Sequence, residues 1–278
     1  QEPEALPIDV VVLKPNFWKF GGDYYLQFLQ NYLTNNWYQG GESNYSIIGA
    51  VTLIANYNNK QKIKWDNKLE MKLGLQTTQS DSIHKMRAYE DLIRYTGKFG
   101  LQATKKWYYT IQLLAQTQWA RHFKSNSRVV QSDILSPLNI NISLGMDYSV
   151  SWFNKRLTGN AHLAPLAYNF KYTDRLALSK QNGIPVGRHA LNDFGSQVTI
   201  DLNWKIGDNM NWSTHLYGYT TYKRSEIAWE NTLTFQFNKY ISTKLFIHPR
   251  FDDGHPRDNK LGYWMFKEFV SLGFSYGF

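Results

Sequence analysis

The sequence predicts an all-β fold, an up-and-down antiparallel transmembrane β-barrel of about twelve strands, and three observations carry that expectation. Segments throughout the chain alternate apolar and polar residues with a period of two, the side-chain period of a strand. No run of about 18 apolar residues occurs, so only strands could cross a membrane. Aromatic residues make up 16% of a chain whose mean hydropathy is only -0.49, a balance that suits a barrel with aromatic girdles and not helical spans.

The elements follow in order. Residues 1–22 hold Pro3, Pro7, Pro15, a Val10-Val11-Val12 run and the Gly21-Gly22 pair, and are expected to form an irregular N-terminal periplasmic segment. Residues 23–278 are expected to form the single barrel. Tyr24 to Leu33 reads as a first, weakly alternating strand, followed by a polar, Gly-rich turn from Asn35 to Asn44. Ser46 to Tyr57 alternates clearly. In the next strand, Lys62 to Leu75, the outward set Ile63, Trp65, Leu69, Met71, Leu73 and Leu75 opposes Lys64, Asp66, Lys68, Glu70 and Lys72. Five charges opposite an apolar face match lipid outside and water inside.

Strands are expected near Met86 to Gly97 and Trp107 to Arg121, then from Asn139 to Tyr148 after a longer loop. Leu157 to Tyr172 contains Pro165, which lacks a ladder N–H and so implies a bulge or bend. After the longest connection, Asp174 to Asn192, come Val198 to Lys205, Trp212 to Tyr222, Ile227 to Phe237, Ile241 to Phe251 and the terminal strand Phe266 to Phe278. Short connections at 58–61, 152–156, 206–210 and 238–240 alternate with long ones at 76–85, 122–137, 173–192 and 252–263, with a tight turn near Lys223-Arg224-Ser225. An even strand number returns both ends of the barrel to one side.

Aromatic residues provide a second register. Trp65, Trp107, Trp204 and Trp212 fall at the expected periplasmic strand ends, and Trp119 and Trp229 at the external ends. With Phe274, Tyr276 and Phe278 of the last strand they are the candidate lipid-interface residues. A terminal strand this apolar is an aggregating edge unless it closes a barrel against the first strand. The aromatic finish resembles the C-terminal signature of bacterial outer-membrane barrels.

The candidate lumen-lining residues are Lys64, Asp66, Lys68, Glu70, Lys72, Glu90, Arg94, Asp147, Asp201, Lys205, Glu230, Lys244 and Arg250. Mixed signs of this kind line an ion path or pair across a narrow interior. The formal net charge is +9, but the basic residues are dispersed among strands and loops without a basic helix, so no nucleic acid is expected as a partner. The absence of cysteine is compatible with an oxidising compartment. The seven histidines show no local Ser-His-Asp arrangement, and no catalytic residue, metal or cofactor is assigned. Asp252-Asp253-Gly254-His255 with Asp258 reads as a turn in preference to a cation site. The loop cations Lys124, Arg128, Arg175, Lys180, Arg188, Lys223, Arg224, Arg257 and Lys260 give the outer rim a basic cast suited to lipopolysaccharide phosphates.

The run Asn36-Trp37-Tyr38-Gln39-Gly40-Gly41 with Asn44 and Ser46, then Trp65-Asp66-Asn67 with Leu69, Leu144-Gly145-Met146-Asp147-Tyr148, Leu163-Ala164-Pro165-Leu166 and Lys267-Glu268 resembles an uncharacterised Bacteroidota family of outer-membrane β-barrels, a domain of unknown function. Tyr172 to Leu191 and Tyr263 to Met265 depart from it. The resemblance implies a barrel in the bacterial outer membrane and no reaction; because the sequence begins at Gln1 without a basic region and apolar core, the signal peptide of an exported chain is expected to be already removed. Two functions are expected: a narrow channel for small, anionic solutes, or a non-catalytic accessory or scaffold subunit of a larger outer-membrane complex. Outer-membrane lipids and lipopolysaccharide, and other outer-membrane or periplasmic proteins, are the expected partners.

Overall fold

The computed structural model describes residues 16–31, 44–60, 62–254 and 257–277. The wall is built from β1 (Trp18–Asn31), β2 (Asn44–Asn58), β3 (Ile63–Thr78), β4 (Arg87–Gln102) and β5 (Trp107–Thr117). After a small hairpin, β6 (His122–Phe123) and β7 (Val130–Ser132), it continues with β8 (Leu138–Trp152), β9 (Leu157–Tyr172), β10 (Ala190–Lys205), β11 (Met210–Thr220), β12 (Ser225–Gln236), β13 (Ile241–Asp252) and β14 (Trp264–Gly277). The twelve wall strands are antiparallel, each pairs with its neighbours in chain order, and β14 returns to β1. The fold is therefore a closed, all-β, up-and-down barrel of twelve strands.

Connections alternate in length as the sequence implies. Tight turns at 59–62, 103–106, 153–156, 206–209 and 237–240 define one end of the barrel, the turn end. The segments at 79–86, 118–137, 173–189 and 253–263, with the tight turn 221–224, lie at the opposite, loop end. Several expected strand limits shift: β10 begins at Ala190, ahead of the expected Val198, and β8 runs on past Tyr148 to Trp152. β1 begins at Trp18, so Trp18 to Gly22 are wall and not part of a leading segment; Gln1 to Pro15 lie outside the described residues, as does the turn expected after Asn35. β5 stops at Thr117 because the backbone N–H groups of Trp119 and Ala120 turn away to donate to the Asp91 carboxylate at 2.7 and 2.6 Å.

Pro165 does sit at an irregularity. The register of β9 slips against β8 between Leu144 and Met146 and against β10 between Gly195 and Gln197. Gly145 makes the slip possible, since a Cβ there would stand 2.0 Å from the Leu163 carbonyl oxygen. On β13, Pro249 also lacks an N–H, and pairing with β12 skips Trp229 and Glu230.

Burial is inverted relative to a water-soluble core. The largest fully buried side chains are polar, led by His162, Gln112, Gln197 and Asn141, whereas Phe20, Tyr109, Ile111, Leu144, Leu166, Phe194, Leu272 and Phe274 are at least half exposed on the outside. Gly145→Ala is expected to lower the unfolding free energy of the refolded barrel by about 1–3 kcal/mol, read as a lower urea midpoint, because the Leu163 backbone must move.

Candidate functional site

The inward faces of β3, β4, β8 to β10 and β12 project the charges into one shared interior. At its centre, Arg94 of β4 donates through Nε to Glu70 of β3 at 2.8 Å and through both terminal nitrogens to Glu230 of β12 at 2.8 and 3.1 Å. β4 and β12 lie on opposite sides of the strand order, so this bridge spans the lumen. Arg94 carries the fork geometry suited to holding a carboxylate with two bonds.

A second cluster sits nearer the turn end. Lys98 Nζ donates to Asn160 Oδ1 at 2.5 Å and lies 3.8 Å from Asp147 and 3.5 Å from Asp201. Asp147 also holds His162 through Nδ1, and Ser143 Oγ lies 3.0 Å from His162 Nε2. Asp201 holds His215, with Nδ1 2.6 Å from Oδ1. The order Ser143, His162, Asp147 has the connectivity of a nucleophilic triad. Ser143 is only 1% exposed, however, His162 is 0% exposed, and neither lines either lumen cavity. The set is buried and ties β8 to β9 through its side chains. Sequence reasoning missed it, and only the inward parity of the three residues could have suggested it.

The remaining candidates distribute around these clusters. Lys64 pairs with Asp66 at 2.7 Å and Lys68 with Glu70 at 2.9 Å along β3. Lys72 lies 3.6 Å from Glu90, which also meets Lys267 of β14. Lys244 stands 3.9 Å over the Tyr25 ring. Arg250 joins Glu226 and Asp252 at the loop end, where Arg224 also holds Asp252 at 3.2 Å. Lys205 is the outlier: it sits at the turn-end mouth, well exposed, 4.0 Å from Asp208.

Two cavities enter the barrel from opposite ends. The turn-end one, about 700 Å³, is lined by five lysines (Lys19, Lys60, Lys64, Lys68, Lys98), by Asp66, Glu70 and Asp201, and by Asn and Ser side chains. The loop-end one, about 340 Å³, reaches Lys171, Glu226, Arg250 and His248. His215 lines both, and Arg94 and Glu230 close the loop-end cavity at its base.

On the outside, the aromatic candidates gather mainly at the turn end. Trp65 packs with Trp18 at 5.7 Å, Trp107 with Tyr148 at 5.0 Å, and Trp204 with Trp212 at 6.3 Å. Toward the loop end, Trp119 donates to the Leu92 carbonyl at 3.2 Å and Trp229 to Thr214 Oγ1 at 2.7 Å, which satisfies both indole N–H groups on an apolar face. Phe274 is 64% exposed. Tyr276 takes its place in β14 opposite Tyr24; Phe278 lies outside the described residues.

The loop end is partly capped. Asn126 accepts from Ser82 N–H at 2.9 Å and donates to the Ser80 carbonyl at 2.7 Å, which docks 118–137 on 79–86. Asp133 accepts from Arg175 at 2.6 Å and Arg121 at 3.0 Å, docking it on 173–189. Burial pushes the Asp133 carboxyl up, but Arg175, the Ile134 N–H and Arg121 outweigh it and hold it below the usual carboxylate range. Of the proposed cation loop, Asp252 is consumed by arginines, Asp253 accepts from Ser225 N–H and Asp258 from Lys260 and Leu261 N–H; His255 lies outside the described residues. Among the described residues no group of three or more potential metal ligands occurs.

These features define a class: a closed antiparallel β-barrel with an apolar exterior, aromatic strand ends and a polar, ion-paired lumen. Residues 28–123, less than half of the chain, match the model of a family described as a protein of unknown function, DUF3078. A comparison with curated proteins finds no match. Among solved structures, an outer-membrane channel from Pseudomonas putida F1 aligns over 99% of this chain and 100% of its own, at 8% identity and a TM-score of 0.42. The NanC porin aligns over 92% and 97% at 10% identity and 0.36. The translocator domain of the autotransporter NalP from Neisseria meningitidis aligns over 95% and 89% at 8% identity and 0.31.

Two outcomes are expected from this geometry. Arg94→Met leaves the part-buried Glu230 without its ion-pair partner and Glu70 with Lys68 alone, and should lower barrel stability by about 2–3 kcal/mol in urea unfolding, a loss largely relieved when Glu230→Gln is added. Because the folded pKa of Asp133 is depressed, its contribution is present above the ordinary aspartate value of 3.8 and lost as pH falls through the lower folded value. Exchange protection across 118–137, taken relative to the intrinsic amide rate at each pH, should therefore be high at neutral pH and lost in that acid window, and Asp133→Asn should be weakly protected throughout.

Proposed function

We propose that the chain is an outer-membrane β-barrel whose lumen is a narrow, non-catalytic channel for small anionic solutes. The observation that carries this reading is the pair of cavities that enter from opposite ends and share His215, with the Arg94 bridge between them. A barrel of this size is too wide for side chains to fill completely and too narrow for an open porin pore, so a bridged constriction is the expected compromise. The apolar exterior and the tryptophans at the strand ends support a bilayer around the wall. Anion preference follows from the turn-end cavity, where five lysines face three carboxylates.

Lipopolysaccharide is the proposed partner at the loop end. Arg175 and Arg224 are drawn into ion pairs, but Lys124, Arg128, Lys180, Arg188, Lys223, Arg257 and Lys260 are exposed there and available to phosphate groups.

Planar-bilayer recording tests the channel. The refolded wild-type barrel is expected to give small, anion-selective steps, Lys64→Gln with Lys68→Gln to reduce that selectivity, and combined neutralisation of Arg94, Glu70 and Glu230 to enlarge the steps. Electrical silence of both wild type and the neutralised variant, in barrels shown to be folded, would mean a sealed lumen and remove this reading.

A further inference from the structure

The wall is knit unevenly around its circumference. β2 and β3 are in register over fifteen positions and β1 and β2 over fourteen. β1 meets β14 at only four: Asp23↔Gly277, Tyr24↔Tyr276, Tyr25↔Ser275 and Leu26↔Phe274. Among the described residues the pairing does not continue from Gln27 toward the loop end, although β14 goes on pairing with β13 as far as Trp264. An open sheet edge is not tolerated in hydrocarbon unless it is covered by protein or lines a water-filled space. On the lumen side of that stretch Gln27 and Ser271 are buried, so protein side chains cover the edge there.

The two sides of the seam differ in chemistry. On the lumen side, Tyr25 OH donates to Ser271 Oγ at 2.8 Å and Lys244 lies over the Tyr25 ring. Lys72 and Lys267 stand on the same side and share Glu90. Leu29 has the inward parity of Tyr25 and Gln27, yet is 55% exposed. On the outer side, a groove of about 670 Å³ is lined by Tyr24, Tyr25 and Leu26 of β1, Gly49, Ala50 and Val51 of β2, Phe274 of β14, and Tyr240 of the turn 237–240. Its lining is apolar, and a Cβ on Gly49 would meet nothing within 4 Å. Cations within and an apolar groove without, joined at a poorly paired seam, suit a molecule with one anionic head and one long hydrocarbon chain.

We propose that the β1–β14 seam is a lateral portal through which a long-chain carboxylate passes between lumen and bilayer, its head met by Lys244 and its chain lying in the Gly49 groove. The portal requires a membrane-spanning barrel but no ion conduction, so it stands apart from the channel reading. Residues Gln27 to Asn31 of β1 form its edge, and the Tyr25–Ser271 hydrogen bond spans that edge on the lumen side, since Ser271 lies four residues beyond Ser275, the register partner of Tyr25.

The chain contains no cysteine, so single labels report cleanly. Leu29→Cys carrying an environment-sensitive nitrobenzoxadiazole label, in phosphatidylcholine vesicles doped with doxyl-acyl lipid, should lose fluorescence to the doxyl lipid as the outward Phe28→Cys does. Ser149→Cys, inward on the far wall, should respond only to aqueous iodide. Phe28→Cys with Leu272→Cys, which would face each other were the seam zipped, should fail to form a disulfide. cis-Parinarate, a naturally fluorescent long-chain carboxylate, should bind saturably to the refolded barrel and lose affinity with Lys244→Gln. A Leu29 label seen by iodide alone, or quantitative Phe28–Leu272 cross-linking, overturns the portal. Absent or Lys244-independent parinarate binding overturns the cargo. Neither result bears on conductance.

Discussion

The edge N–H and C=O groups of a strand need partners, and the twelve wall strands find them in one another by closing the sheet on itself. Closure of the sheet follows from that constraint, and most other features follow from closure. With two faces and a period of two, each strand must send alternate residues outward and into the interior. That is why Ile63, Trp65, Leu69 and Met71 share a strand with Lys64, Asp66, Lys68 and Glu70. It is also why the buried side chains are His162, Gln112 and Gln197 while phenylalanine and leucine stand outside.

Twelve strands set the width of the interior, and the width decides how its charges can be arranged. Along one strand, Lys64 and Asp66 can pair only as same-face neighbours. Across the barrel, a side chain as long as Arg94 reaches Glu230 on the facing wall while keeping Glu70 beside it. Burying one arginine against two carboxylates is tolerable because the guanidinium has donors enough for both. The same bridge stands at the base of the loop-end cavity, so one interaction both braces the wall and closes that cavity. Lys98 performs the equivalent service nearer the turn end, where it joins Asp147 and Asp201, each already committed to a histidine.

The loop end follows different rules, since water can satisfy its backbone. There the segments at 79–86, 118–137 and 173–189 dock through local capping bonds and through Asp133, leaving a partial cap with exposed cations. The turn end is bare by comparison, with its aromatic residues packed in pairs such as Trp65 with Trp18 and Trp204 with Trp212.

Fold class, strand number, the alternation of short and long connections and the inward or outward parity of most residues were legible in the sequence, because each depends on local spacing alone. Pro165 announced a bulge for the same reason: a missing N–H is a local fact. Strand ends were less legible, as with Trp18 and Thr117, because they depend on which distant group accepts the last hydrogen bond. The site was legible only as a set of inward charges. Which of them meet was decided by closure, which brings Arg94 to Glu230 across 136 residues of chain and seats Ser143, His162 and Asp147 together. The uneven seam between β1 and β14 belongs to the same category. Parity is a property of one strand and can be read from it, whereas a contact across a lumen, or a gap in a wall, is a property of the closed cylinder.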